Sequence, residues 1–191
     1  MKESNGTAHN NKIVPNNKEW PLAAWNVRGF NGKEVELAEE FVKNQIDVLG
    51  ITDTKKKGKC TQFLENRHFL ITNGVSQSER AKEGVGCLIN SNLIKNIKDW
   101  DCTYGRILKI RLVTIEHKLV NIIIMYGINV DEKAARKTYS EIWSQRYTVL
   151  GNLNGRVGVR DKYTPDVLGP YREEKKTTME NVLLIYVEKI I

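Results

Sequence analysis

Residues 47–52, DVLGIT, form a short, compact apolar run of the kind a β-strand shows when both of its faces are covered. Such a strand demands a layer on each side, which narrows the fold before anything else is considered. Just upstream, residues 23–27 (AAWNV) form a second apolar run, and the RGFNGK that follows supplies Gly and Asn for a turn. Between the two runs, over residues 34–44, Val35, Leu37, Ala38, Phe41 and Val42 recur at helical spacing with Glu and Lys opposite. The opening is therefore strand, helix, strand, and an α/β layered fold is expected.

Further strands are expected at residues 68–72, 84–89, 106–113, 119–126 and 147–150, several of them joined by short polar turns. A second helix is expected over residues 132–146, with Ala135, Tyr139, Ile142 and Trp143 on one face and Asp131 as its cap. A third pattern at residues 179–191 carries Val182, Leu183, Ile185, Tyr186 and Ile190 and runs to the last residue without a capping glycine. The chain is thus expected to stop in the middle of its architecture. Residues 1–20 are polar and rich in Asn and read as a disordered arm ahead of one domain at residues 21–191.

Composition excludes several classes. At 191 residues and 40% hydrophobic content the chain can bury one core without disulfide staples, and it contains no repeat. Cys60, Cys87 and Cys102 lack CxxC spacing, and His9, His68 and His117 are dispersed, so zinc is not indicated and a reducing compartment is expected. The longest apolar stretch, residues 119–126, is too short to span a bilayer, and no signal segment precedes it; an intracellular protein, cytoplasmic or nuclear, is expected. The glycines of EGVGCL lack the Lys and Ser/Thr of a phosphate-binding loop, which argues against a nucleotide cofactor. A net charge of +7 suits a polyanionic partner such as DNA, although many basic proteins bind none. The four Trp read as core or rim aromatics rather than as a base-stacking platform.

Four ordered segments resemble the endonuclease domain of non-LTR retrotransposons (the RTE and LINE type). They are AWNVRGFNGKEVELAEEF (residues 24–41), IDVLGITDTKKKGK (46–59), ERAKEGVGCLINSNLIKNIKDWDCTYGRILKIRL (79–112), and NIIIMYGINVDEKAARKTYSEIW (121–143) followed by VLGNLNGRVG (149–158). This domain belongs to the endonuclease/exonuclease/phosphatase superfamily, with the apurinic/apyrimidinic endonucleases, DNase I and the inositol polyphosphate phosphatases. The resemblance implies a DNase I-like four-layer α/β (α+β) sandwich, two β-sheets face to face with helices outside and a cleft at the strand ends. It also implies an ancestral Mg²⁺-dependent hydrolysis of phosphodiesters, the nicking of DNA.

Carried over by position, Asn26 in WNVRG matches the asparagine that orients the metal site and the scissile phosphate; a turn-capping role is the alternative. Asp53 in ITDTK stands where the family has its Mg²⁺-binding glutamate. Its arm is one methylene shorter, so it must draw in an ion that prefers oxygen ligands at about 2.1 Å, or admit a water between them. Tyr126 in IIIMYG matches a tyrosine that hydrogen-bonds the phosphate, or else is a strand-end aromatic covering the core. Asn152 and Asn154 fall on the family's Asp-x-Asn pair, whose aspartate activates the attacking water and whose asparagine binds the transition-state phosphate. A carboxamide accepts no proton at useful pH.

After Gly158 the family's closing Asp-His pair has no counterpart; Asp161 and Asp166 lie in the GVRDKYTPDVLGPY loop, and every His is at or before His117. From Trp143, near which the second helix ends, only Ser144, Gln145 and Arg146 lead to the strand at Tyr147, where the family has a longer link. The resemblance with these departures implies a truncated, catalytically impaired derivative whose missing closing strands leave a sheet edge open to self-association. Lys55, Lys56, Lys57 and Lys59 either border the cleft and hold DNA or form a solvated loop; Arg28, Arg80, Lys82 and Arg156 carry the same two readings. A weakly active nicking enzyme, a non-enzymatic nucleic-acid-binding or protein-interaction module and, more distantly, an inositol phosphate phosphatase are the competing functions.

Overall fold

The computed structural model describes residues 20–127, 147–152 and 154. The arm before residue 20, the helices expected at 132–146 and 179–191, and Arg156, Asp161 and Asp166 lie outside the described residues.

The opening strand, helix and strand form as the pattern requires: β1 (Leu22–Asn26), α1 (Glu34–Lys43) and β2 (Val48–Thr52). Parallel strands need a crossover, and α1 supplies it, so that β1 and β2 pair in parallel from Leu22 opposite Val48 to Asn26 opposite Thr52. Antiparallel strands β3 (Lys59–Phe63), β4 (Phe69–Asn73) and β5 (Val85–Ile89) complete a sheet ordered β1-β2-β5-β4-β3. A second sheet holds β6 (Ile97–Tyr104), β7 (Ile107–Val113), β8 (Leu119–Tyr126) and β9 (Thr148–Asn152) in that order, with β9 parallel to β8. Two of these strands, β3 and β6, escape the sequence patterns, and the others lie within a residue or two of the expected bounds.

All five residues of β2 are buried, and its alternate side chains serve two different cores. Leu49 and Ile51 join Leu37 and Phe41 of α1, with Leu70 and Leu88, on the outer face of the first sheet. Val48 faces the second sheet in a cluster with Ile71, Val85 and Ile89 on one side and Leu108, Ile110, Ile122 and Ile124 on the other. Among the described residues the layers are thus helix, sheet, sheet. Among the described residues no helix is long and apolar enough to cross a membrane.

Close approach of the sheets depends on Gly50. A Cβ there would lie 2.8 Å from Cβ of Leu150 in β9 and 3.3 Å from Cγ1 of Ile124 in β8. Packed cores resist added volume, so Gly50→Ala is expected to lower stability by about 1–3 kcal/mol in urea denaturation; a change under about 0.5 kcal/mol would show that the sheets do not meet there.

His68, 5% exposed, precedes β4. Its Nδ1 accepts the Ser91 N–H at 3.2 Å, its ring meets Phe41 edge-on at 5.0 Å, and its Nε2 has no partner among the described residues. Burial pushes the imidazole pKa below its ordinary value, so the fold holds it neutral. With the folded pKa depressed, the unfolded chain takes up the proton first as pH falls below about 6.5, and stability declines from there down to the folded value. Between pH 7 and pH 5 the unfolding free energy should fall, and His68→Asn, whose Oδ1 can keep the Ser91 bond, should flatten that slope; an unchanged slope would assign the effect to other groups.

Candidate functional site at the strand ends

Four strands deliver their C-terminal ends to one end of the sandwich. In the first sheet Asn26 lies opposite Thr52, and in the second Tyr126 lies opposite Asn152. The sheets are joined at this same end. Asn73, last in β4, donates from Nδ2 to the carbonyl of Ile107, first in β7, at 3.2 Å, and the glycine at 105 in the β6–β7 turn lies against the backbone of Gly74. Since Asn73 and Thr52 both pair with Val85, and Ile107 with Met125, the ends of β2 and β8 share that edge.

The third and shortest link is an ion pair. Arg106 donates from Nε to Oε2 of Glu83 at 2.6 Å and from Nη1 to the Gly127 carbonyl at 2.9 Å, and its guanidinium lies 5.4 Å from the centre of the Tyr126 ring. Both side chains of the pair are mostly buried. The same Gly127 carbonyl accepts Nδ2 of Asn154 at 2.9 Å, while Gly127 N–H donates to the Asn152 carbonyl at 2.7 Å. One arginine therefore ties Tyr126, Asn152 and Asn154 together and anchors them to the first sheet. Nothing in the sequence pairs Glu83 with Arg106, since 23 positions separate them.

Each parallel strand pair ends in the same local device. Oδ1 of Asn26 accepts the N–H of Arg28 at 3.2 Å, and Oδ1 of Asn152 accepts the N–H of Asn154 at 2.9 Å. Both receiving turns then adopt a left-handed residue, Arg28 at φ 48° and Asn154 at φ 51°. Asn side chains cap such turns by mimicking a backbone carbonyl. The turn-capping role of Asn26 is thus realised, and Asn152 shares it.

Asp53 follows β2 at φ 56° and Lys55 comes next but one at φ 54°. Non-glycine residues in this region cost free energy that the surroundings must offset, and such residues concentrate at ligand sites. The surroundings here are backbone bonds from Gly29 N–H to the Asp53 carbonyl at 2.7 Å and from Phe30 N–H to the Thr54 carbonyl at 2.9 Å. Asp53 is 9% exposed, yet its carboxylate makes no hydrogen bond or ion pair with a described residue. Beside it, Oγ1 of fully buried Thr52 has no partner among the described residues either. Among the described residues no three His, Cys, Asp or Glu side chains cluster for a metal ion. A hard cation that keeps most of its water needs only one or two carboxylates, and Asp53 supplies one.

The expected basic run does not act as a unit. Lys56 is turned inward, with Nζ 3.0 Å from Oε1 of Glu34 and 5.3 Å from the Phe30 ring centre. Nζ of Lys57 donates to the Gln77 carbonyl at 3.0 Å. Lys59 opens β3, the far edge of the sheet from β1. That leaves Arg28 and Lys55, both exposed and without a carboxylate partner among the described residues, beside Asn26 and Asp53.

No family model and no curated protein matches the sequence. Solved structures do match the fold. The catalytic domain of APE2 from Xenopus laevis superposes with a TM-score of 0.52 at 16% identity, over 73% of this chain and 61% of that one. An AP endonuclease from Archaeoglobus fulgidus gives 0.51 at 13% identity, over 72% and 58%. The chain spans about three-fifths of the length of these structures. At such identities the likeness is one of fold: the protein has the DNase I-like α/β architecture, two mixed sheets face to face.

The Glu83 and Arg106 pair gives a direct test. Removing one partner leaves a half-buried charge unpaired, so Arg106→Met and Glu83→Gln should each destabilise by about 1–3 kcal/mol. The double variant should fall short of their sum by about 0.5 kcal/mol or more in a double-mutant cycle. Strict additivity would mean that the two groups do not interact.

Proposed function

We propose that this chain is a derivative of a retrotransposon endonuclease, of apurinic/apyrimidinic-endonuclease type, that has lost efficient phosphodiester hydrolysis and keeps affinity for DNA. The observation that carries the reading is Asn152. It sits at the end of β9, tied through Gly127 to Tyr126, where the resemblance places a water-activating aspartate. Its amide oxygen is engaged in the turn to Asn154. A carboxamide there neither accepts a proton nor supplies the negative field that favours hydroxide, and losing a positioned base costs about 10² to 10⁴ in rate.

Asp53 is the residue that would hold Mg²⁺, with the substrate phosphate and waters completing the shell. A bound Mg²⁺ supplies charge neutralisation at the phosphate. Asn26 and Asn154 orient the phosphate with Tyr126, and Arg28 and Lys55 hold the flanking backbone. The buried carboxylate of Asp53, unpartnered among the described residues, also supports a weakly active nicking enzyme as the second reading.

Nicking of supercoiled plasmid in Mg²⁺ separates the two. The wild-type chain should nick no faster than Asp53→Ala. Asn152→Asp, whose carboxylate can cap the same turn, should raise EDTA-sensitive nicking by up to about 10² to 10⁴. Wild-type nicking that EDTA abolishes and that exceeds the Asp53→Ala level would establish the active enzyme instead. DNA affinity should fall steeply with salt and weaken in Lys55→Gln, because phosphate contacts release counterions; absent or salt-independent binding would remove the DNA half of the reading.

A further inference from the structure

At the opposite edge of the sandwich from β1, the rim strands β3 and β6 leave a cavity of about 360 Å³ lined by Lys59, Thr61, Ile71, Trp100, Asp101 and Cys102 among others. Pairing of Thr61 with Ile71 and of Phe63 with Phe69 puts Lys59, Thr61 and Phe63 on the face of β3 that looks toward the second sheet. Trp100, paired with Ile110, looks back from β6. Every residue of β3 is exposed, and among the described residues β3 pairs only with β4.

The rim carries aromatic surface that the fold does not bury. Phe63 is 63% exposed and Trp100 43% exposed, and both contact Phe69, with ring centres 5.2 Å and 5.7 Å apart. Exposed apolar patches with a polar border mark binding surfaces. Lys59 stands at the other end of β3 with no ion pair among the described residues. Four residue steps at about 3.3 Å put roughly 13 Å between Lys59 and Phe63. One nucleotide does not reach from a phosphate on Lys59 to a base on Phe63, so a ligand using both is a chain.

We propose that the β3–β6 rim is a binding track for single-stranded nucleic acid, with a base in the cavity against Trp100, a phosphate on Lys59, and further bases on Phe69 and Phe63. Stacking on aromatic faces combined with a backbone cation is how single strands are held without regard to sequence. The proposal rests on the nucleic-acid partner of the preceding section and adds to it a second surface, separate from the strand-end site.

The test is titration of the full chain with oligo(dT), without Mg²⁺, reading tryptophan fluorescence and affinity. Saturable quenching is expected. Trp100→Leu should remove most of the quench and weaken binding about 5- to 100-fold. Lys59→Gln, an exposed change that keeps the fold, should lower the log–log salt slope by about 0.7. Asp53→Ala and Lys55→Gln should leave oligo(dT) binding unchanged. No binding, or wild-type binding by both rim variants, overturns the proposal. Loss of oligo(dT) binding in Lys55→Gln alone overturns it in favour of the strand-end site and leaves the proposed function intact. Rim binding without any effect of Lys55→Gln on duplex DNA upholds the track and counts against the strand-end reading.

Discussion

Everything at the candidate site follows from how closely the two sheets approach along β2. The alternate side chains of that strand feed both the helix-facing core and the core between the sheets, as those of its neighbours β5 and β4 do. At Gly50 it has no side chain, and Leu150 and Ile124 fill the space. Two residues further along each strand come Thr52, Asn152 and Tyr126, so contact at one level sets which groups converge at the next. The ion pair of Glu83 and Arg106 then locks the ends laterally. Packing brings the sheets together, and the polar clamp chooses their register.

The parts of this fold that were legible in the sequence are those with an inside. β2 and β8 are apolar because both of their faces are covered, and α1 is periodic because one face is. β3 and β6 were not legible, for physical reasons. KCTQF is exposed at every position, so burial imposes no alternation on it. β6 alternates Trp100 and Cys102 inward with Asp99 and Asp101, but register shifts at two points break the period of two. An exposed or irregularly paired strand leaves no core signature in its sequence.

The candidate site was legible in a different way. Asn26, Asp53, Tyr126, Asn152 and Asn154 stand out through resemblance to a family, and the structure brings the ends of their strands to one edge. The lysine run was legible as charge but not as geometry, because the Lys56 contact with Glu34 spans a loop and a helix that no spacing rule connects. Arg106 stayed silent because its partners, Glu83, Tyr126 and Gly127, come from two sheets.

At Asn152 the demands of the fold and those of the proposed chemistry come apart. One side-chain oxygen at that position has two uses. As a hydrogen-bond acceptor it caps the turn to Asn154, and an amide oxygen does so as well as a carboxylate oxygen. As a base beside a phosphate it must take a proton, and only the carboxylate can. Stability therefore does not distinguish the two side chains at position 152, while Nδ2 of Asn154 shares the Gly127 carbonyl with Arg106 and is held by the structure. Under the proposed loss of hydrolysis, residues with a structural second use should persist and those whose only distinct use is chemical should drift. Of the Asn152 and Asn154 pair, the position that departs from the family pattern is the one where the departure leaves every hydrogen bond of the turn in place.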